Sequence, residues 1–274
     1  LKPLWLNHGS KAMDTDGLLA AYLLERSEGR LTVAWSSELG RHIVAAKCLK
    51  AHECVFSEEA LFCGSNDGSS LITALNDEDA EGMLDAWGDS TLGGINAVAH
   101  VDLFCDFALA KTIAATASNS DAHRRVRQLE QWFMKAEGEV VDRVAQMEKL
   151  VMIHEALRPH IRQKVSLLDL QGLDDVIARN AEECLGPMEI QSASSDVRHV
   201  DKSLQMRRRR FQGIFTGKHL MEHSCDPNCF TMCGPVKRDH HSGGEPVRLE
   251  IVPTRTIHAG EHLSWSYLPY WKLL

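Results

Sequence analysis

The chain has 274 residues, 44% of them apolar and 25% charged, with a formal net charge of −8 and a pI near 6.0. That length supports one large domain or two smaller ones, and the apolar-to-charged balance is ordinary for a soluble globular protein. The acidic balance provides no general basic field for nucleic acid. The longest apolar run, residues 17–24, falls far short of the roughly 20 residues a bilayer span needs, so no membrane partner is expected.

Leu1 stands where a Met would open a complete chain, which reads as a fragment, and no long apolar segment of signal-peptide type follows Lys2. The eight cysteines, Cys48, Cys54, Cys63, Cys105, Cys184, Cys225, Cys229 and Cys233, are spread along the chain. Without a secretory signal they read as reduced thiols of an intracellular protein, cytoplasmic or nuclear.

In chain order, Asp14 or Thr15 is placed to cap a helix running to Leu24. LTVAWS (31–36), HIVAAK (42–47) and CVFSEEALF (54–62) follow as strands separated by turn residues. From about residue 64 the texture turns helical. LNDEDAEGMLDAW (75–87) opens with an Asn/Asp cap and acids in its first turn, as the helix dipole prefers. Val126, Leu129, Phe133, Ala136, Val140, Val144, Met147 and Val151 recur at intervals of three and four, which predicts one long helix ended near Pro159. That stripe reads as a helix packed on its own domain rather than a partner-binding coiled coil. LLDLQGLDDVIARNAEECLG (167–186) predicts a further helix closed by Gly186-Pro187. Arg207–Arg210 could be a nuclear signal or a phosphate patch, with a solvated loop or helix end at least as good a reading. Strands return with FTMCG (230–234), PVRLEIVPT (246–254) and HLSWSYL (262–268). VKRDHHSGGEP (236–246) lies between the first two as a long hairpin connection.

Two segments echo each other. AAKCLKAHECVF (45–56) and PTRTIHAGEHLS (253–264), aligned at Glu53 and Glu261, match Leu49 with Ile257 and Ala51 with Ala259. The shared content is a strand, a tight turn and a returning strand.

The densest chemistry lies in MEHSCDPNCF (221–230). Cys225, Cys229 and Cys233 at C-x3-C-x3-C, with His223, His240 and His241 nearby, could form a zinc-binding interaction module, although paired CxxC knuckles are lacking. A Cys–His or Ser–His nucleophile pair is a second reading. A third is a turn whose small residues let the backbone approach a ligand closely.

LMEHSCDPNC (220–229) resembles LLNHSCDPNC, the signature of SET-domain proteins in their SMYD-like branch. LGRHIVAAKCLKAHECVFSEEALF (39–62) resembles that family's opening GRGLxAxxxIxxGExxFxExPL, and FQGIFTGKHLMEHSCDPNC (211–229) its GxxLxxxxSLLNHSCxPN. LEIVPTRTIHAGEHLSWSYL (249–268) resembles its closing LxAxRxIxxGEELTISYL. The resemblance implies an α+β chain: a β-rich SET fold of short strands with a large helical insertion. Residues 1–63 and 201–274 would form its two halves and 64–200 the insertion. It further implies methyl transfer from S-adenosylmethionine to lysine side chains of protein or peptide substrates, without a metal in the chemistry.

By the same resemblance Tyr267 is the catalytic phenol. Gly40, Arg41 and His42 form the first cofactor loop, and Glu222, His223 and Ser224 hold the rest of the cofactor. Trp265, Tyr270 and Trp271 are candidate channel walls, and Cys225 matches a zinc ligand of members with a cysteine-rich tail. Two positions depart from the pattern. His42 replaces a glycine, and Glu222 replaces an asparagine whose amide can donate where a carboxylate cannot. Neither a MYND-type module after Phe62 nor a cysteine-rich tail before Leu274 is expected. The departures support an alternative, a degenerate SET domain that binds a peptide or partner without catalysis.

Overall fold

Helix α1 (Lys11–Arg26) opens the computed structural model, which describes residues 11–88, 97–133, 143–190, 206–236 and 247–266. Strands β1 (Leu31–Ser36), β2 (Gly40–Ala45), β3 (Phe56–Glu59) and β4 (Phe62–Ser65) follow. Helices α2 (Ser69–Ala74), α3 (Asp77–Gly88), α4 (Ala97–Ala114), α5 (Asp121–Trp132), α6 (Arg143–Ala156), α7 (Pro159–Arg162) and α8 (Leu167–Asn180) come next. The chain then returns to strands β5 (Ala181–Ile190) and β6 (Met206–Ile214), a 3₁₀ turn (Lys218–Leu220), β7 (Glu222–His223), β8 (Cys229–Pro235), β9 (Val247–Pro253) and β10 (Ser264–Trp265). The architecture is α+β with short strands, mostly antiparallel. No helix among the described residues is long and apolar enough to cross a membrane.

The chain divides into two units. One comprises Leu1–Glu59, Phe215–Met232 and Arg248–Leu274; the other comprises Ala60–Ile214 and Cys233–Val247.

In the first unit α1 ends where Gly29, at φ +72°, donates its N–H to Leu24 O at 2.7 Å. That left-handed C-terminal cap is one a β-carbon would strain. Leu19 and Leu23, one turn apart on α1, are fully buried. β1 and β2 pair antiparallel from Leu31↔Ala45 to Ser36↔Gly40. Their connection is closed by Gly40 at φ +67°, a usual device of three-residue hairpins. β3 pairs antiparallel with β9, Phe56 opposite Ile251. The sequence echo has a structural meaning: Leu49 and Ile257, equivalent in the two segments, pair with each other through N–H···O bonds of 2.8 and 3.0 Å.

In the second unit α4 is buried nearly all round, and β4, β6 and β5 form a sheet in that order. Phe62 of β4 meets Phe107 of α4 edge to face at 5.4 Å. Asp102 of α4 accepts from Ser65 N at 2.8 Å and Leu71 N at 2.6 Å, so it satisfies a strand end and the first turn of α2 together. A capping box between Ser166 and Asp169 starts α8.

Several expectations need correction. α8 stops at Asn180, and AEECLGPMEI is strand β5, not the end of a helix. Pairing with β6 overrides the local helical pattern, and Pro187 is tolerated because it falls in a register shift between Leu185 and Met188. The arginine run lies in β6 rather than in a loop or helix end. Arg209 pairs with Asp67, and Arg210 lies 3.7 Å from Glu183. The 126–151 stripe falls on α5 and α6, with 134–142 outside the described residues, as is most of the connection at 236–246. The reading of all cysteines as reduced fails at two. Cys184 and Cys233 form a disulfide, Cα atoms 5.3 Å apart across a separation of 49 residues, a proximity created by the β-strands and invisible in linear spacing.

Candidate active site

The segments singled out in the sequence meet in the first unit through a continuous set of backbone bonds. Leu263 N donates to Ile43 O at 2.9 Å and Ala45 N to Glu261 O at 2.9 Å, which lays residues 261–263 along β2. That segment runs directly into β10, and β10 pairs with β7 in parallel, Ser264 with Glu222 and Trp265 with His223. Ser224 N donates to Trp265 O at 3.0 Å. The strand that begins at Gly40 and the stretch Glu222–Ser224 are thus brought to the two sides of one C-terminal strand. Tyr267, Tyr270 and Trp271 lie outside the described residues.

Asn228 holds this arrangement. Its side chain is buried, accepts from Ser264 N at 2.8 Å, and donates to His262 O at 2.8 Å and to Glu261 Oε1 at 3.4 Å. An Asn is required because the site needs an acceptor and donors at once. Glu261 also accepts from His258 N at 3.1 Å and pairs with Arg255, which holds its carboxyl down to about 2. Read from sequence, Asp226-Pro227-Asn228 promised only a turn. The turn exists, with Ser224 Oγ accepting from Asp226 N at 3.1 Å, but Asn228 is a clamp.

Glu58 is a second anchor that sequence reasoning missed. It is 1% exposed and accepts from Gly217 N at 2.8 Å, Lys218 N at 3.0 Å and Tyr22 Oη at 3.1 Å. Gly217 lies so close behind this loop that a β-carbon would sit 2.6 Å from the Phe56 ring. The inward position of Glu58 in the alternating strand FSEE was the available signal. Burial pushes its carboxyl up to about 7, against the lowering effect of the N–H donors.

Between the unfolded value of 4.5 and about 7, the folded state therefore holds a proton that the unfolded chain releases, and this contribution to stability falls as pH rises. Burial lowers His219 to about 4, with the Arg41 charge acting in the same sense, so its contribution is lost as pH falls from 6.5. Burial also raises Asp102 to about 7. Thermal melts of Glu58→Gln and its parent isolate Glu58, because the other two groups titrate in both. The difference in melting temperature should move in favour of the variant from about pH 5 to about pH 7.5. A constant difference would show that Glu58 does not titrate there.

Of the predicted cofactor residues, Gly40 has open space where a β-carbon would stand. Arg41 and Glu222 are half-buried and His223 is exposed. His42 is 6% exposed; its Nδ1 lies 3.1 Å from Gly40 O, and its ring meets the His262 ring edge-on at 6.5 Å. The ring that replaces the family glycine therefore turns back onto its own strand and the adjoining C-terminal segment. Lys218, between Gly217 and His219, is 7% exposed, and its Nζ sits 3.7 Å from the centre of the Trp265 ring. Cys225 Sγ and His223 Nε2 are 3.6 Å apart, but Cys229 is buried and Cys233 is in the disulfide, which splits the C-x3-C-x3-C run. Among the described residues no three His, Cys, Asp or Glu side chains cluster as a metal site.

A glycine-closed hairpin, a C-terminal strand laid beside it and a short parallel pair to a His-Ser turn, with a helical unit between the halves in sequence, define a β unit assembled from distant segments. Residues 40–268 match the SET domain family, and the chain belongs to it. No curated protein matches the chain. Among solved structures, the SET domain of LSMT bound to lysine and AdoHcy is similar over 94% of this chain, at 10% identity and a TM-score of 0.45. The chain spans 54% of the length of that protein.

Proposed function

We propose that the chain is a protein-lysine methyltransferase of the SMYD-like branch, using S-adenosylmethionine to methylate lysine side chains of a protein or peptide. The observation that carries this reading is membership of the SET family over residues 40–268, with the motif segments joined through β2, residues 261–265 and β7.

The residues at hand fit the cofactor. Gly40 leaves room for a close backbone approach, and Glu222 offers a partly exposed carboxylate to an ammonium. Bound there, the cofactor supplies an electrophilic methyl group on a sulfonium. Gly40, Arg41 and His42 of one segment and Glu222, His223 and Ser224 of the other would hold it. A lysine amine, with an ordinary pKa near about 10.4, must shed its proton before it attacks. A partly apolar channel favours that by desolvation, and Tyr267 orients the neutral amine.

Calorimetric titration with S-adenosylmethionine tests the reading. Micromolar binding, together with a reduced rate or an altered number of methyls in Tyr267→Phe, is expected. Absence of binding at millimolar cofactor would sink catalysis and leave the second reading, a degenerate SET domain that binds a partner. The buried His42 and the carboxylate of Glu222 are the features that favour that rival.

A further inference from the structure

We infer that Lys218 is a built-in occupant of the aromatic cation slot of this site, so that the chain's own ammonium holds the place a substrate lysine must take. The inference rests on the reading of the site given above and deepens it.

Three observations converge. First, Lys218 is 7% exposed although it is a lysine on a short 3₁₀ turn, a position from which a long flexible side chain ordinarily reaches water. Second, its ammonium lies 3.7 Å from the centre of the Trp265 ring, well inside the range at which an indole face attracts a cation. Third, its backbone is fixed. Lys218 N donates to the buried Glu58 carboxyl at 3.0 Å, Gly217 N does the same at 2.8 Å, and Gly217 is pressed against the Phe56 ring. The side chain is thus delivered to the indole by an anchored loop.

Trp265 belongs to the strand that organises the site. It pairs with His223 in the parallel ladder, its carbonyl accepts from Ser224 N, and it stands two positions before Tyr267 in sequence. An indole face so placed selects ammonium groups, and this one is covered from within the chain. A lysine from another protein meets Lys218 as a tethered competitor. Release of Lys218, by substrate contacts or a shift of the 216–218 loop, opens the slot. Specificity would then favour substrates whose flanking residues compensate for displacing it.

The test titrates Nα-acetyl-lysine methylamide into the parent, Lys218→Met and Lys218→Arg proteins, each cofactor-free and saturated with S-adenosylhomocysteine. Lys218→Met keeps length and apolar bulk but removes the charge. It should bind the probe about 5- to 30-fold more tightly than the parent in at least one of the two states, the span expected for one desolvated cation–π contact. Lys218→Arg, which retains a cation, should stay within about twofold of the parent, and adding Trp265→Leu to Lys218→Met should abolish the gain. Equal affinity of Lys218→Met and parent in both states, or no probe binding by Lys218→Met, overturns the inference. Tighter probe binding without any cofactor binding would support the occupied slot and sink the methyltransferase reading; cofactor binding with unchanged probe affinity would do the reverse. Should Lys218→Met fail to fold, amine acetylation of the native protein decides. Lys218 should react at least about tenfold more slowly than Lys50, whose side chain is 78% exposed, and equal rates overturn the inference.

Discussion

Asn228→Ala should destabilise the unit that carries the candidate site by roughly 3 kcal/mol. The substitution removes the acceptor of the Ser264 N–H and the donor to His262 O, at 2.8 Å each; Ser264 is buried, so its N–H loses that partner away from water, whereas His262 is exposed and loses the bond alone. A buried group so left costs about 1–3 kcal/mol, more than the bond itself contributes. In a chain of this size the result is a fall in melting temperature of about 6–12 °C. The loss should also be local. Amide exchange at Ser224 and Ser264 should accelerate, because Asn228 holds Ser264, the first residue of β10, and Ser224 N is bonded to the next, Trp265. Asn228→Asp keeps an acceptor but places a second carboxylate against Glu261, so its penalty should be smaller in acid than at neutral pH. A melting temperature for Asn228→Ala within about 2 °C of the parent would show that the clamp is dispensable.

Gly64→Ala should be more damaging still. A β-carbon at Gly64 would stand 2.0 Å from Ala99 O and 2.3 Å from Leu103 N, both backbone atoms of α4 that no rotamer change can move aside. The strand would have to lift from the helix, opening the contact between Phe62 and Phe107 and lengthening the bond that Ser65 N donates to Asp102. Overpacking of this kind ordinarily costs about 1–3 kcal/mol where side chains can yield; against rigid backbone the cost should exceed about 4 kcal/mol. The protein should express insolubly or melt well below the parent. Gly82→Ala is the matched control. Gly82 lies in α3 with nothing within 4 Å of its would-be β-carbon, so alanine there should stabilise by about 0.5–1 kcal/mol through helix propensity. If both variants melted alike, close packing at Gly64 would be refuted.

The candidate site was partly legible because its residues sit in short runs with strong local character. Gly40 was picked out by its match to the family's opening motif, and the structure adds that it closes the β1–β2 hairpin at φ +67°. The echo of Leu49 and Ile257 could be aligned by eye, but that the two halves bond to each other required two antiparallel chain segments to meet. Asn228 looked like turn chemistry because an Asp-Pro-Asn triplet is locally sufficient for a turn, whereas its partners lie more than thirty residues away. Glu58 gave only an alternation signal, since its partners Tyr22 and Gly217 are distant in the chain. Residues 181–190 misled for a related reason. Ala, Glu and Leu favour a helix by themselves, and the competing strand is imposed by β6.

The sequence by itself determined the α+β texture, the motif segments in their order and membership of the SET family, because these depend on residue identity and spacing within short windows. Tertiary structure alone decided that Asn228 holds residues 261–264, that Glu58 fastens the 216–218 loop, that Cys184 reaches Cys233, and that Lys218 lies on the Trp265 ring. Each of these joins groups far apart along the chain. Their energy comes from burial and directional bonds that exist only once the strands have met, and no local pattern carries that information.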